Sequence, residues 1–114
     1  MKTVERTLPH IGSETEPTYV GMGGVPGDGP YICFEAIVRH GQIVEAKGRC
    51  NGCQTAIQLT ERFVRLLAGR EVSRVKNLQI NEVRVLAGPV PEGKEYYVEL
   101  AWRACTSLQQ EECL

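Results

Sequence analysis

No stretch of this chain approaches the roughly 20 consecutive apolar residues of a membrane-spanning helix. The first residues, Met1-Lys2-Thr3-Val4-Glu5-Arg6, lack the apolar run that a secretory signal needs. Net charge is almost missing as well: 13 Lys and Arg stand against 14 Asp and Glu, leaving −1. So neutral a chain offers no broad electrostatic footprint for phosphate, which argues against nucleic acid and membrane surfaces as partners. A Ser-His-Asp order, a paired-carboxylate spacing and a dinucleotide-binding glycine fingerprint are all lacking. Neither of the two histidines is placed to serve as base to a cysteine nucleophile. These absences lead us to expect a cytoplasmic protein that is not an enzyme.

What is present is ordinary in bulk. The 114 residues suit one domain, and 42% hydrophobic with 24% charged residues is a normal globular balance. The five cysteines, Cys33, Cys50, Cys53, Cys105 and Cys113, are the informative part. An odd number without an export signal argues against a disulfide framework and for metal ligation or sulfur chemistry.

Residues 1–18 are polar, carry Pro9 and Pro17, and read as a flexible arm before a single domain over residues 19–114. Residues 21–30 hold five glycines and two prolines, a composition that predicts neither helix nor strand. From Tyr31 to Arg39 the pattern alternates, with Ile32, Phe34, Ala36 and Val38 on one face, as a strand does. His40-Gly41 is a tight connection, and Gln42 to Lys47 returns as the second strand of a hairpin.

Asn51, with Gln54 three residues on, predicts a capped helix start near Gly52. Apolar residues then recur at helical spacing through Ala56, Ile57, Leu59, Phe63, Val64, Leu66 and Leu67, and Gly69 is the stop. The expected helix covers residues 53–68, with Ala56, Phe63 and Leu67 toward a sheet. Ile80 to Leu86 is ambiguous between helix and strand. Glu95 to Trp102 alternates through Tyr96, Val98, Leu100 and Trp102 and reads as a third strand, followed by a terminal helix over residues 106–114. The sum is an α+β fold, a three-stranded antiparallel sheet covered by helices.

The strongest local motif is Cys50-Asn51-Gly52-Cys53 at a strand-to-helix junction. Two thiols at this spacing can reach one metal ion, and a thiol in the first turn of a helix is biased toward the thiolate. Cys105, placed at the start of the terminal helix, is the obvious third ligand, and Asp28 in the glycine-rich loop a candidate fourth. Cys33 reads as a packed strand residue, Cys113 as a solvated thiol, and His10 and His40 as surface imidazoles. Arg62, Arg65, Arg70, Arg74 and Lys76 form a locally basic face, by default a solvated one.

The stretch Gly41-Gln-Ile-Val-Glu-Ala-Lys-Gly-Arg-Cys50-Asn-Gly-Cys53-Gln-Thr-Ala-Ile57 resembles the central motif of the U-type iron–sulfur scaffold proteins (IscU, SufU and the N-terminal domain of NifU). That motif runs Gly-x-Ile-x-x-Ala-x-Phe-x-x-x-Gly-Cys-x-x-Ala-Ile. Leu67-Ala68-Gly69-Arg70 resembles the family's helix end, and Gly24-Val25-Pro26-Gly27-Asp28-Gly29 its Gly-x-Pro-x-Cys-Gly-Asp loop. Trp102-Arg103-Ala104-Cys105 falls where the family has Lys-x-His-Cys. The resemblance covers roughly residues 20–112 and implies an IscU/NifU-N-like fold. It places the family's second and third cysteines on Cys53 and Cys105, its first on Asp28, and its alternate His ligand on Ala104; Cys50 is additional. By the resemblance, the chain would accept iron and sulfur and pass a transient [2Fe–2S] cluster on, with Cys53 and Cys105 as sulfur acceptors. Its partners would be a cysteine desulfurase, an iron donor and apo-protein acceptors. Zinc-binding sulfur transfer of the SufU kind, and a relative that keeps the fold without assembling clusters, are the alternatives.

Overall fold

The structure is a computed structural model describing residues 2–7, by their backbone, and residues 18–111. It is an α+β fold. Four long strands, β1 (Lys2–Thr7), β2 (Thr18–Gly24), β3 (Tyr31–Arg39) and β4 (Gln42–Asn51), and a two-residue β5 (Gln109–Gln110) form one sheet. The order is β1-β4-β3-β2-β5, antiparallel throughout. Helices α1 (Gln54–Leu67), α2 (Val72–Lys76), α3 (Ile80–Ala87) and α4 (Tyr96–Thr106) complete it.

The β3–β4 hairpin and α1 follow the sequence pattern closely. His40 and Gly41 both take positive φ, 52° and 77°, the geometry a two-residue turn between twisted strands requires. Ile32, Phe34, Ala36 and Val38 of β3 are buried, and Ala56, Phe63 and Leu67 of α1 are buried with them. The Phe34 and Phe63 rings meet with centroids 6.3 Å apart. The start of α1 differs from expectation. Asn51 is the last residue of β4, and the residue that caps the helix is Cys53.

The sheet has five strands where three were expected, and four further expectations are corrected. The polar arm is in part a strand, since β1 pairs with β4 from Lys2↔Cys50 to Thr7↔Glu45. An edge strand is held through its backbone ladder. The rest of the arm, residues 8–17, lies outside the described residues, as does Cys113.

Gly21, Gly23 and Gly24, expected in a loop, belong to β2. A Cβ at Gly21 would run into the Ala104 carbonyl oxygen, and one at Gly23 into that of Leu100. These glycines let the α4 backbone lie directly on the sheet.

The segment read as a third strand is α4. Its buried residues, Tyr97, Val98, Ala101, Ala104 and Cys105, follow helical spacing, a phase that competes with the alternation of Tyr96, Val98, Leu100 and Trp102. Instead of strand packing, Trp102 sends its indole N–H to the Leu78 carbonyl at 2.9 Å. The expected terminal helix is absent over the described residues because Ser107 ties the chain to β2. It accepts the Met22 N–H at 2.9 Å and donates to the Met22 carbonyl at 3.2 Å, which leads into β5. The ambiguous Ile80–Leu86 segment is helical, with Glu82 accepting the Gln79 N–H at 3.0 Å at its start.

Arginines of the basic stretch have structural partners. Arg62 donates to the Leu86 carbonyl at 2.6 Å and Arg70 to that of Leu66 at 2.8 Å, each at a helix C-terminus. No helix among the described residues is long and apolar enough to cross a membrane.

Candidate functional site

Gly24 of β2, Tyr31 of β3 and Asn51 of β4 stand in register, so the loop of residues 25–30 and the β4–α1 junction share one end of the sheet. Asp28 is exposed there, its N–H closing a turn onto the Val25 carbonyl at 3.0 Å. Cys50, one residue before the strand ends, is only 1% exposed and belongs to the core under the helices. Cys53 stands half-buried at the first position before α1. The loop and the junction therefore lie at the same end of the sheet.

Cys105 does not join them. It lies in the last turn of α4 rather than at a helix start, fully buried. Burial pushes its thiol up to about 12, against the pull of the nearby Arg70 guanidinium. Arg70 follows the C-terminal end of α1, whereas Cys53 caps the N-terminal end. Tyr97, which meets Cys53, is in the first turn of α4 and Cys105 in its last, an axial rise of about 12 Å along that helix. Cys105 is thus a neutral core residue at physiological pH.

Cys33 is buried in the sheet, in β3, where Arg49 reaches it while pairing with Glu35. Desolvation raises its thiol, the Arg49 hydrogen bond and charge oppose the rise, and Glu35 adds to it. Its behaviour as a packed residue is therefore as expected. His40 occupies the turn at the far end of the hairpin from Cys53.

Among the described residues, Cys53 is a thiol that is neither fully buried nor raised. Partial desolvation pushes it up, but the Thr55 and Ala56 N–H groups in the first turn of α1 and the Tyr97 hydroxyl outweigh that and bring it down to about 7. Its sulfur makes no side-chain cap hydrogen bond. As a thiolate it stands where an N-cap oxygen would, before the unpaired donors and positive dipole end of the helix.

Tyr97 is the residue sequence reasoning missed. It sits at the start of α4, 3% exposed, and its hydroxyl accepts the Cys53 N–H at 3.2 Å. Its ring lies over Gly52, where an added Cβ would stand 2.8 Å from the ring edge and 2.9 Å from the hydroxyl oxygen. The neighbouring Tyr96 ring is 4.2 Å away, centroid to centroid. The hydrogen bond to Tyr96, together with burial and the facing Cys53 sulfur, holds the Tyr97 hydroxyl protonated, with its pKa raised to about 12. Reading residues 95–102 in helical phase would have turned Tyr97 inward and shown it.

Chemically, this end of the sheet offers one accessible soft nucleophile with a second thiol buried three residues before it. Among the described residues, no three His, Cys, Asp or Glu side chains gather as a metal-holding group. A structural zinc takes four protein donors, and of Cys50, Cys53 and Asp28 the first is buried in the core, so these residues do not make up a closed zinc site. No protein-family model matches the chain, and no curated protein matches it.

Proposed function

We propose that the chain is a sulfur carrier of iron–sulfur cluster assembly that accepts a sulfur atom on Cys53 as a persulfide and hands it on. The supporting observation is the state of Cys53, a half-exposed thiol brought to about 7 at the start of α1. About half of such a thiol is thiolate at neutral pH, the form that attacks sulfur. The fold's order of strands, hairpin and long helix suits the U-type resemblance, which names a cysteine desulfurase as donor and apo-proteins as acceptors.

In the loading step, the Cys53 thiolate attacks the terminal sulfur of a donor persulfide. The new S–S bond forms as the donor's S–S bond breaks, and the donor cysteine leaves as a thiolate. The transferred sulfur keeps its proton, so Cys53 ends as R–S–SH with no net oxidation. Unloading is the same displacement by an acceptor thiolate, with Cys53 as leaving group. A thiol of low pKa leaves well, which suits a carrier that must release its load.

The test is incubation with glutathione persulfide, followed by mass spectrometry of intact and digested protein. One added sulfur atom on Cys53, lost in Cys53→Ser and kept in Cys105→Ser, supports the carrier. A sulfur distributed over Cys33 and Cys105, or none, refutes it.

A second function rests on Asp28 and Cys53 standing at the same end of the sheet. As cargo, a transient [2Fe–2S] cluster would use Cys53 as its thiolate, with Asp28 as a labile oxygen ligand. Anaerobic reconstitution with iron and sulfide, read by visible absorption, separates scaffold from carrier, and elemental analysis tests zinc.

A further inference from the structure

We infer that Tyr97 is the positioning residue of the Cys53 site, a clamp that fixes the backbone at the helix start so that the sulfur faces the first turn of α1. This rests on Cys53 being the reactive thiol, as proposed above.

The need for a clamp comes from Gly52. No side chain fits there, because the Tyr97 ring and the Ala56 Cβ stand 2.8 and 2.9 Å from where a Cβ would be. Glycine, however, leaves the peptide before Cys53 with wide backbone freedom. It is also the junction where the β4 ladder has ended and the α1 ladder has not begun. The Cys53 N–H is accordingly taken by neither ladder. Tyr97 takes it, at 3.2 Å, from a helix that is itself seated on β2.

Two consequences follow for the sulfur. With its own N–H occupied, Cys53 cannot satisfy its side chain locally, an alternative that competes with capping in short polar side chains. The extended backbone at Cys53, φ −85° and ψ −173°, then presents the sulfur to the donors of residues 55 and 56. The hydroxyl accepts that N–H with one lone pair and keeps its own proton to donate. The chain thus places a rigid, buried phenol where it fixes a thiol without competing for the sulfur's electrophile.

Tyr97→Phe keeps the ring and removes both the acceptor of the Cys53 N–H and the hydroxyl that helps lower the Cys53 thiol, so amide exchange is the readout specific to the clamp. The expected result is faster hydrogen exchange at the Cys53 amide and a fall of about three- to tenfold in persulfide transfer from glutathione persulfide, the loss of one ordinary hydrogen bond. The melting temperature should fall by no more than about 3–6 °C, so the variant stays folded. Gly52→Ala, which displaces the same ring from the opposite side, should reproduce both effects. An unchanged transfer rate in both variants, or a slower rate with the Cys53 amide as protected as in wild type, overturns the clamp. If wild-type protein takes up no sulfur at all, the carrier function fails while the amide exchange still decides the clamp.

Discussion

Phe63→Ala removes the aromatic centre of the contact between α1 and the sheet. Phe63 is 1% exposed and lies against Phe34, itself fully buried, with ring centroids 6.3 Å apart. Truncating a buried Phe to Ala costs about 3–5 kcal/mol, from lost transfer energy and the cavity left behind. The aromatic pair contributes about 0.5–1.5 kcal/mol beyond area, so the upper half of that range applies. Little relaxation is available to close the hole, because Leu59, Val64 and Leu67 around it on α1 are each 3% exposed or less. For a 114-residue chain the unfolding entropy is about 0.24 kcal/mol/K, so a loss of about 4 kcal/mol lowers Tm by roughly 17 °C. That is a large share of the 5–15 kcal/mol typical of whole domains. Urea denaturation followed by circular dichroism reads the change, with Val85→Ala, at a side chain 79% exposed, as the control that should stay within about 0.5 kcal/mol. A Phe63→Ala loss below about 1 kcal/mol would refute the packing of α1 on β3.

Limiting iodoacetamide at pH 7 should label Cys53 first, with its rate half-maximal near pH 7 and flat above pH 8, while Cys105 stays unlabelled in the folded protein; mass spectrometry decides. Since folding lowers the Cys53 pKa from 9.0 to about 7, its thiolate favours the folded state fully above pH 9, and that contribution fades as pH falls to 7, visible as a difference between wild type and Cys53→Ser melting curves. Gly23→Ala should cost about 1–3 kcal/mol by urea denaturation, because its Cβ meets the Leu100 carbonyl and must push α4 off the sheet; a neutral result would mean α4 is not seated there. Asp28→Ala should shorten the lifetime of a reconstituted [2Fe–2S] cluster as read by visible absorption, and an unchanged lifetime removes the carboxylate from the ligand set.

The parts legible in the sequence are those whose pattern is produced by a single interface. The β3–β4 hairpin alternates because one face meets the helices, and α1 carries its broad stripe for the same reason. Elements placed by backbone contact were not legible. In β2 the glycines exist to admit α4, and composition alone made them look like a loop. In α4 the aromatic and β-branched residues fit two periods, and only the close approach of the Leu100 and Ala104 carbonyls to Gly23 and Gly21 decides for the helix. Cys53 was found from its motif, and its lowered thiol followed from the helix start even though the cap is Cys53 itself and not Asn51. Cys105 was misplaced with the element that carries it, and Tyr97 was missed for the same reason.

The bare strip of β2 has a consequence for how the site tolerates change. Side-chain interfaces shift by fractions of an ångström whenever a residue is exchanged, and an element resting on them drifts accordingly. Helix α4 instead rests carbonyl to strand at Leu100 and Ala104, so its height over the sheet is set by main-chain atoms that no substitution alters. The solvent-facing positions of α4, among them Glu99 and Arg103, can vary freely while the phenol at its first turn stays in place over the Gly52–Cys53 peptide. Sensitivity is concentrated where a single methyl on β2 would tilt the whole lever and carry Tyr97 away from a thiol it never shares a strand or a helix with.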